Sequence, residues 1–268
     1  GLMNTGVNFM REHIIQEARI HYVIEDGGMQ PNVVPPYARS WYYIRAPERE
    51  QVRELTEWVQ KIADGADLMA RTTHEMEFVE GCYNILPNKA LSDIVTANMR
   101  EVGVPEYSAD DMKFAEGIAE TVSKEDKLAE LRLTKRPRWQ ELIDKTIDTE
   151  IMDPWDGDIV WPGSTDVGDV SWIVPTMEFT TSTFVLGIGG HSWQVVACSG
   201  AGIGHKSLVF AARTMAGSAI DLLTKPDLLK KTKDEFVDRK AGRNYISPVP
   251  KDVKPPLEMA RKAAGLDD

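Results

Sequence analysis

In the first ninety residues the hydrophobic period switches between two and three-to-four, and that switching constrains the fold more than any single residue. A helical pattern runs to about Glu12. At Arg19 to Glu25 Ile20, Tyr22 and Ile24 alternate with His21 and Val23, and at Ala38 to Arg45 Ser40, Tyr42 and Ile44 alternate with Trp41, Tyr43 and Arg45. Both read as half-buried strands. Then Val52, Leu55, Val59, Ile62, Ala66 and Met69 recur at helical spacing, with charges on the other face. From His74 to Cys82, Met76 and Phe78 alternate with Glu75, Glu77 and Glu80, which reads as a third strand. Helix, strand, strand, helix, strand describes an antiparallel sheet covered on one face, an α+β layer over residues 1–88. One further strand before residue 1 would complete a ferredoxin-like βαββαβ unit.

Residues 89–268 read differently. Helices are expected at about 89–102, 108–122, 124–132 and 138–148, the second opened by Ser108 as N-cap with Asp110 and Asp111 complementing the helix dipole. A loop rich in Asp, Pro and Gly at 153–168 precedes short strands at 169–174 and 183–188. The continuous apolar run Phe184-Val185-Leu186 suits the middle of a parallel sheet whose other strands lie outside this sequence. Ile203 to Leu223 predicts a largely apolar helix that must be well buried. The tail from Pro248, with Pro250, Pro255 and Pro256, reads as an extension. The class expected for the whole is α/β.

A chain of 268 residues, 42% hydrophobic and 27% charged, has room for two lobes. Its net charge of -11 argues against a nucleic-acid partner, since phosphates call for a positive surface. No apolar run approaches the roughly 18–20 residues of a membrane span, so no membrane partner is expected. Cys82 and Cys198 stand in no metal or redox spacing and are expected as free thiols in a reducing, cytoplasmic setting. The helical pattern Leu2, Met3, Val7, Met10 is under way at the first residue, behind a Gly1 of the kind tag removal leaves. Sequence ahead of residue 1 is therefore expected to be missing.

Candidate chemistry gathers at a few places. Gly27-Gly28 opens a turn leading through Pro31-Asn32-Val33-Val34-Pro35 to the strand that ends at Arg45, so Asn32 and Arg45 bracket one strand. A side-chain amide and a guanidinium fork can together satisfy a small carboxylate; the alternative is a hairpin with a surface arginine. Gly187-Ile188-Gly189-Gly190-His191 places His191 just past an apolar run, where α/β sheets put ligands, as a metal ligand, an acid/base group or a histidine satisfied by its own loop. His205, before the apolar helix, is a candidate pocket residue. His13, His21 and His74 read as structural. In Gly163-Ser164-Thr165-Asp166-Val167-Gly168-Asp169, two aspartates three apart could support a metal as outer partners or form a plain turn. Ser199-Gly200-Ala201-Gly202 before a helix is a weak anion-site hint. Zinc-protease helix, nucleophile-elbow, phosphate-loop and dinucleotide motifs do not occur.

The runs Arg19-Ile20-His21-Tyr22-Val23-Ile24, Gly27-Gly28, Pro31-Asn32-Val33-Val34-Pro35 and Tyr42-Tyr43-Ile44-Arg45-Ala46 resemble the dimerisation lid of the zinc aminoacylase and carboxypeptidase family, metallopeptidase family 20. Ser164 to Trp172, Gly190-His191-Ser192-Trp193-Gln194 and Gly204-His205-Lys206 resemble later motifs of the same family, in order. The resemblance implies a ferredoxin-like lid followed by the C-terminal part of a catalytic domain. It implies that Asn32 and Arg45 grip the free carboxylate of an acyl-amino acid, that His191 is a metal ligand, and that Asp166 or Asp169 lies beside the metal. The remaining ligands of zinc or manganese and the glutamate general base precede the lid in that family, so no catalytic residue is assigned to this chain, which alone is expected to be inactive. A substrate of the aminobenzoyl-glutamate kind and a homodimer through the lid are implied. The alternative is a non-catalytic dimerisation or carboxylate-binding module.

Overall fold

The computed structural model describes residues 1–155, 160–161 and 163–266. The chain forms two compact units. One comprises Gly1–Ile85, Val160–Asp169 and Tyr245–Asp268, the other Leu86–Ile159 and Val170–Asn244.

The first unit is built on α1 (Leu2–Met10), β1 (Arg19–Asp26), β2 (Arg39–Arg45) and α2 (Arg49–Ala70). The strands pair antiparallel with Ile20 opposite Ile44 and Tyr22 opposite Tyr42. Because side chains alternate across a strand, these four share one face, from which Ile20, Tyr42 and Ile44 pack with Val7, Met10, Leu55 and Val59. Burying each of the larger side chains contributes about 1.5–3 kcal/mol. Gly6 lets α1 settle on α2, since a Cβ there would lie 2.5 Å from Ile62 Cγ2. Tyr42 is pushed up to about 12 by burial, with Tyr22 adding and Arg11 opposing, and its hydroxyl bonds Asn4 Oδ1. A capping box between Glu48 and Gln51 starts α2, and Arg71 ends it in the left-handed region at φ 56°.

The third strand expected at His74 to Cys82 is not formed. Among the described residues β1 and β2 make a two-stranded sheet, and residues 74–82 carry no backbone ladder. It is tied down by side chains instead: His74 Nδ1 lies 2.6 Å from Asp67 Oδ2, and Arg39 donates to Glu77 at 3.0 Å. Alternation specifies which face of an extended segment is apolar, while a strand also needs a neighbour for its N–H and C=O groups. Met76, on the apolar side, remains 54% exposed.

The second unit holds α3 (Lys89–Val102), α4 (Ala109–Ala119) and α5 (Lys124–Leu133). After α6 (Val167–Ser171), which the unit boundary divides, it continues with α7 (Trp193–Ser199), α8 (Gly202–Thr224) and α9 (Pro226–Lys240); α10 (Leu257–Ala263) belongs to the first unit. Asn88 caps α3 by accepting from Leu91 N–H at 2.9 Å and donates to Thr232 O at 2.9 Å. Glu235 on α9 accepts the N–H groups of Lys89 at 2.8 Å and Ala90 at 2.7 Å. Burial works against its charge, yet these N–H groups and Arg239 hold the carboxyl below its usual range. Against α3 the backbone of α8 comes close, for a Cβ on Gly217 would fall 2.3 Å from Asn98 Oδ1. A second core gathers Ala115, Ile118, Ile147, Val185, Cys198 and Ile203.

Several expectations fail in this unit. Residues 167–171 are helical, and 183–188 turn rather than extend, with Val185 buried and Leu186 N–H bonded to Thr146 O at 2.9 Å. The parallel sheet inferred from Phe184-Val185-Leu186 is thus not present among the described residues. An apolar run records burial alone, which a core turn satisfies as well as a strand. The helix expected at 138–148 reduces to a 3-10 turn at Trp139–Leu142, because Lys135 (φ 44°) and Arg138 (φ 59°) flank Pro137 in the left-handed region. The α9 helix was not expected; its lysines hide the period until Pro226 is recognised as a first-turn residue.

Candidate functional site

Arg45 is the half-buried last residue of β2, paired across the ladder with Arg19. Its Nη2 donates to Ser164 Oγ at 2.9 Å, so the strand end meets the Ser164 to Asp169 loop that the sequence marks out separately. That loop is held against the segment after Glu80. Asp169 Oδ2 accepts Tyr83 N–H at 3.3 Å and Oδ1 accepts the Tyr245 hydroxyl at 2.9 Å. Gly168 allows this approach, since a Cβ there would lie 2.0 Å from Tyr83 O. Burial and the Asp169 contact both push the Tyr245 hydroxyl up.

Cys82 reports the electrostatics of this corner. Burial is the main cause pushing its thiol up, the carboxylates Asp169 and Glu80 add to it, and Arg45 pulls the other way. The thiol is therefore poorly ionised and unsuited to nucleophilic work. Among the described residues Arg45 makes no ion pair, and its hydrogen-bonded side-chain partner is Ser164. Ser164, Tyr83, Cys82 and Tyr245 are the members that sequence reasoning missed. Ser164 lay inside a run already singled out, whereas nothing local in the sequence marks Tyr245.

Asn32 lies in the loop that joins β1 to β2. The hairpin loop leaves β1 at Asp26, opposite Arg39, whereas Arg45 is paired with Arg19 at the other end. Six residues of strand separate those ends, roughly 20 Å. Asn32 lies in an exposed turn in which Val33 N–H bonds Gln30 O at 3.2 Å.

His191 and His205 belong to the second unit. His191 is exposed in a turn at φ 57°, an uncommon conformation for a non-glycine residue, immediately before Ser192 caps α7. It follows a turn rather than the strand end expected for it. His205 is exposed in the first turn of α8. The anion site suggested by Ser199 to Gly202 is taken by the protein's own carboxylate. Asp111 Oδ1 lies where a Cβ on Gly202 would come within 1.9 Å, and Asp111 Oδ2 pairs with Lys206, which with Ser108 holds Asp111 down at about 2. Among the described residues no three His, Cys, Asp or Glu side chains gather as metal ligands would. The residues described do not by themselves fit a catalytic zinc or manganese, which needs three protein ligands.

No family model matches the chain. It is 36% identical over 95% of its length to a p-aminobenzoyl-glutamate hydrolase polypeptide of Escherichia coli, covering 54% of that protein. It is 26% identical to the Xaa-Arg dipeptidase of mouse, with 88% of the chain and 44% of that protein covered. To the Xaa-Arg dipeptidase of human it is 25% identical, with 92% and 47% covered. The chain spans about half the length of the curated relatives it matches, and those relatives are amide- and peptide-bond hydrolases. The resemblance read from the lid and histidine motifs is thereby shown, and the chain belongs with the hydrolases of metallopeptidase family 20, as a stretch about half their length.

Proposed function

We propose that this chain is the carboxylate-recognising part of a metal-dependent amidohydrolase that releases an amino acid from an acyl-amino acid of the aminobenzoyl-glutamate kind. The contact of Arg45 with Ser164 carries the reading, because it joins a guanidinium fork to a small-residue loop beside two aspartates. There Arg45 binds and orients the free carboxylate, Ser164 positions the fork, and Asp169 holds the loop through Tyr83 and Tyr245. Zinc or manganese, when bound, would polarise the scissile carbonyl and lower the pKa of a water. We assign His191 as the one metal ligand this chain offers and His205 as a further substrate-binding residue. The remaining ligands and the general base are proposed to lie in the part of the family that this chain does not match. The free thiols of Cys82 and Cys198 suit the reducing cytoplasm, where we place the protein.

The 268-residue chain by itself is accordingly expected to hydrolyse no acyl-amino acid. The check is an assay of p-aminobenzoyl-glutamate with added zinc or manganese; metal-dependent turnover that survives repurification would overturn the assignment. The second reading, a dimerisation or carboxylate-binding module without chemistry, is favoured by the lack of a metal-ligand cluster among the described residues. It predicts glutamate binding without hydrolysis even when the unmatched part of the relatives is supplied.

The lid is proposed to form a two-fold dimer. On its outer face Val23 and Tyr43 are exposed beside Trp41, and a two-stranded sheet with a free apolar face is marginal alone. Light scattering should report a dimer, and a monomer at high micromolar concentration would refute it.

A further inference from the structure

Residues 245–249 run back over the corner that Arg45 shares with Ser164, and all of these residues belong to the first unit. The Tyr245 hydroxyl donates to Asp169 Oδ1 at 2.9 Å, while Asp169 Oδ2 accepts Tyr83 N–H at 3.3 Å. One carboxylate thus ties together the tail, the segment at Tyr83 and the stretch that begins at Ser164. The tail is anchored more than once. The rings of Tyr83 and Tyr245 lie 5.1 Å apart, and Ile246 N–H donates to the Tyr83 hydroxyl at 3.3 Å. Pro248 is buried, its Cβ 3.2 Å from where a Cβ on Gly81 would stand. Ser247 shapes the crossing locally, its hydroxyl accepting Val249 N–H at 3.2 Å. Between the anchor points at Gly81 and Tyr83 lies the half-buried thiol of Cys82.

We infer that Tyr245 is a positioning residue of the carboxylate site, acting through Asp169, and that residues 245–249 are a strap whose closure holds Ser164 against Arg45, an assignment that rests on the reading of Arg45 as the carboxylate grip. The contact of Arg45 with Ser164 is one hydrogen bond from a half-buried arginine to an exposed serine. A single bond of that kind holds a loop weakly. Its geometry is therefore set by whatever fixes the rest of the stretch. Asp169 does so with two donors on one carboxylate, and hydrogen bonds to an ionised acceptor are the stronger class. Strap closure and carboxylate binding then favour each other. A ligand that orders the Arg45 fork shifts the strap toward its closed state, and a strap that is loosened weakens the ligand by the same factor. Tyr245 itself touches no substrate atom in this arrangement.

The test uses the full chain with Cys82 as reporter, since Cys198 is wholly buried and serves as an unreactive internal reference. Iodoacetamide should alkylate Cys82 slowly in the parent and roughly tenfold faster in Tyr245→Phe, which keeps the ring and removes one hydrogen bond to a charged acceptor. Saturating p-aminobenzoyl-glutamate, the probe, should slow alkylation of the parent several-fold. Calorimetry should show the probe bound roughly tenfold more weakly by Tyr245→Phe, as linkage requires. Pro248→Gly, which loosens the same strap without touching Asp169, should move both readouts in the same direction. A Tyr245→Phe chain that alkylates at the parent rate would show that no strap closes there. One that alkylates faster yet binds the probe like its parent would reduce Tyr245 to a structural residue. Either result overturns the inference and leaves Arg45 as the grip. A parent that neither binds the probe nor is protected by it would instead overturn the carboxylate reading, and the positioning role with it.

Discussion

Arg45→Ala is expected to weaken binding of p-aminobenzoyl-glutamate by about 2–5 kcal/mol in a protein that carries both this chain and the part its relatives have beyond it. That is the range for removing one member of a desolvated, hydrogen-bonded charge pair. Arg45→Lys should recover little, since an ammonium keeps the charge and loses the planar fork that meets two oxygens at once. Ser164→Ala should cost less, because the serine positions the guanidinium at 2.9 Å and does not itself carry charge. Titration calorimetry with the intact substrate checks the series. An Arg45→Ala protein that binds like its parent would show that the arginine is a strand terminus only and that the carboxylate is held elsewhere.

Gly168→Ala is the second large effect. The added methyl would lie 2.0 Å from Tyr83 O and 2.9 Å from Tyr83 C, a collision with backbone that no rotamer relieves. Overpacking of this kind costs typically about 1–3 kcal/mol. The shift it forces would also pull Asp169 from Tyr83 N–H and from the Tyr245 hydroxyl. The urea midpoint should fall, whereas Gly65→Ala, inside α2 with nothing within 4 Å of the added methyl, should raise it through a stability gain of about 0.5–1 kcal/mol. Equal midpoints for parent and Gly168→Ala would mean that the loop moves freely away from Tyr83.

Hydrophobic period and local motifs encode the short-range elements of this chain. The two strands at Arg19 and Arg39 and the helices α1, α2, α3, α4 and α5 follow from patterns within one or two turns of chain, including the Ser108 cap and the acidic first turn of α4. The family followed from runs such as Ser164 to Trp172. The tertiary structure alone decided everything that depends on a partner distant in the chain. His74 to Cys82 alternates like a strand, but no neighbour supplies its backbone with a ladder among the described residues, so no strand forms there. Phe184 to Leu186 is apolar like a sheet centre, yet Val185 satisfies that by filling a core between helices. Arg45 and Ser164, 119 positions apart, share a hydrogen bond that no local pattern announces. For α8 the period announced an apolar helix, and packing chose which side went inward: Ile203, Ser207, Phe210, Thr214 and Ser218 are buried, and Gly217 lets the backbone come against Asn98.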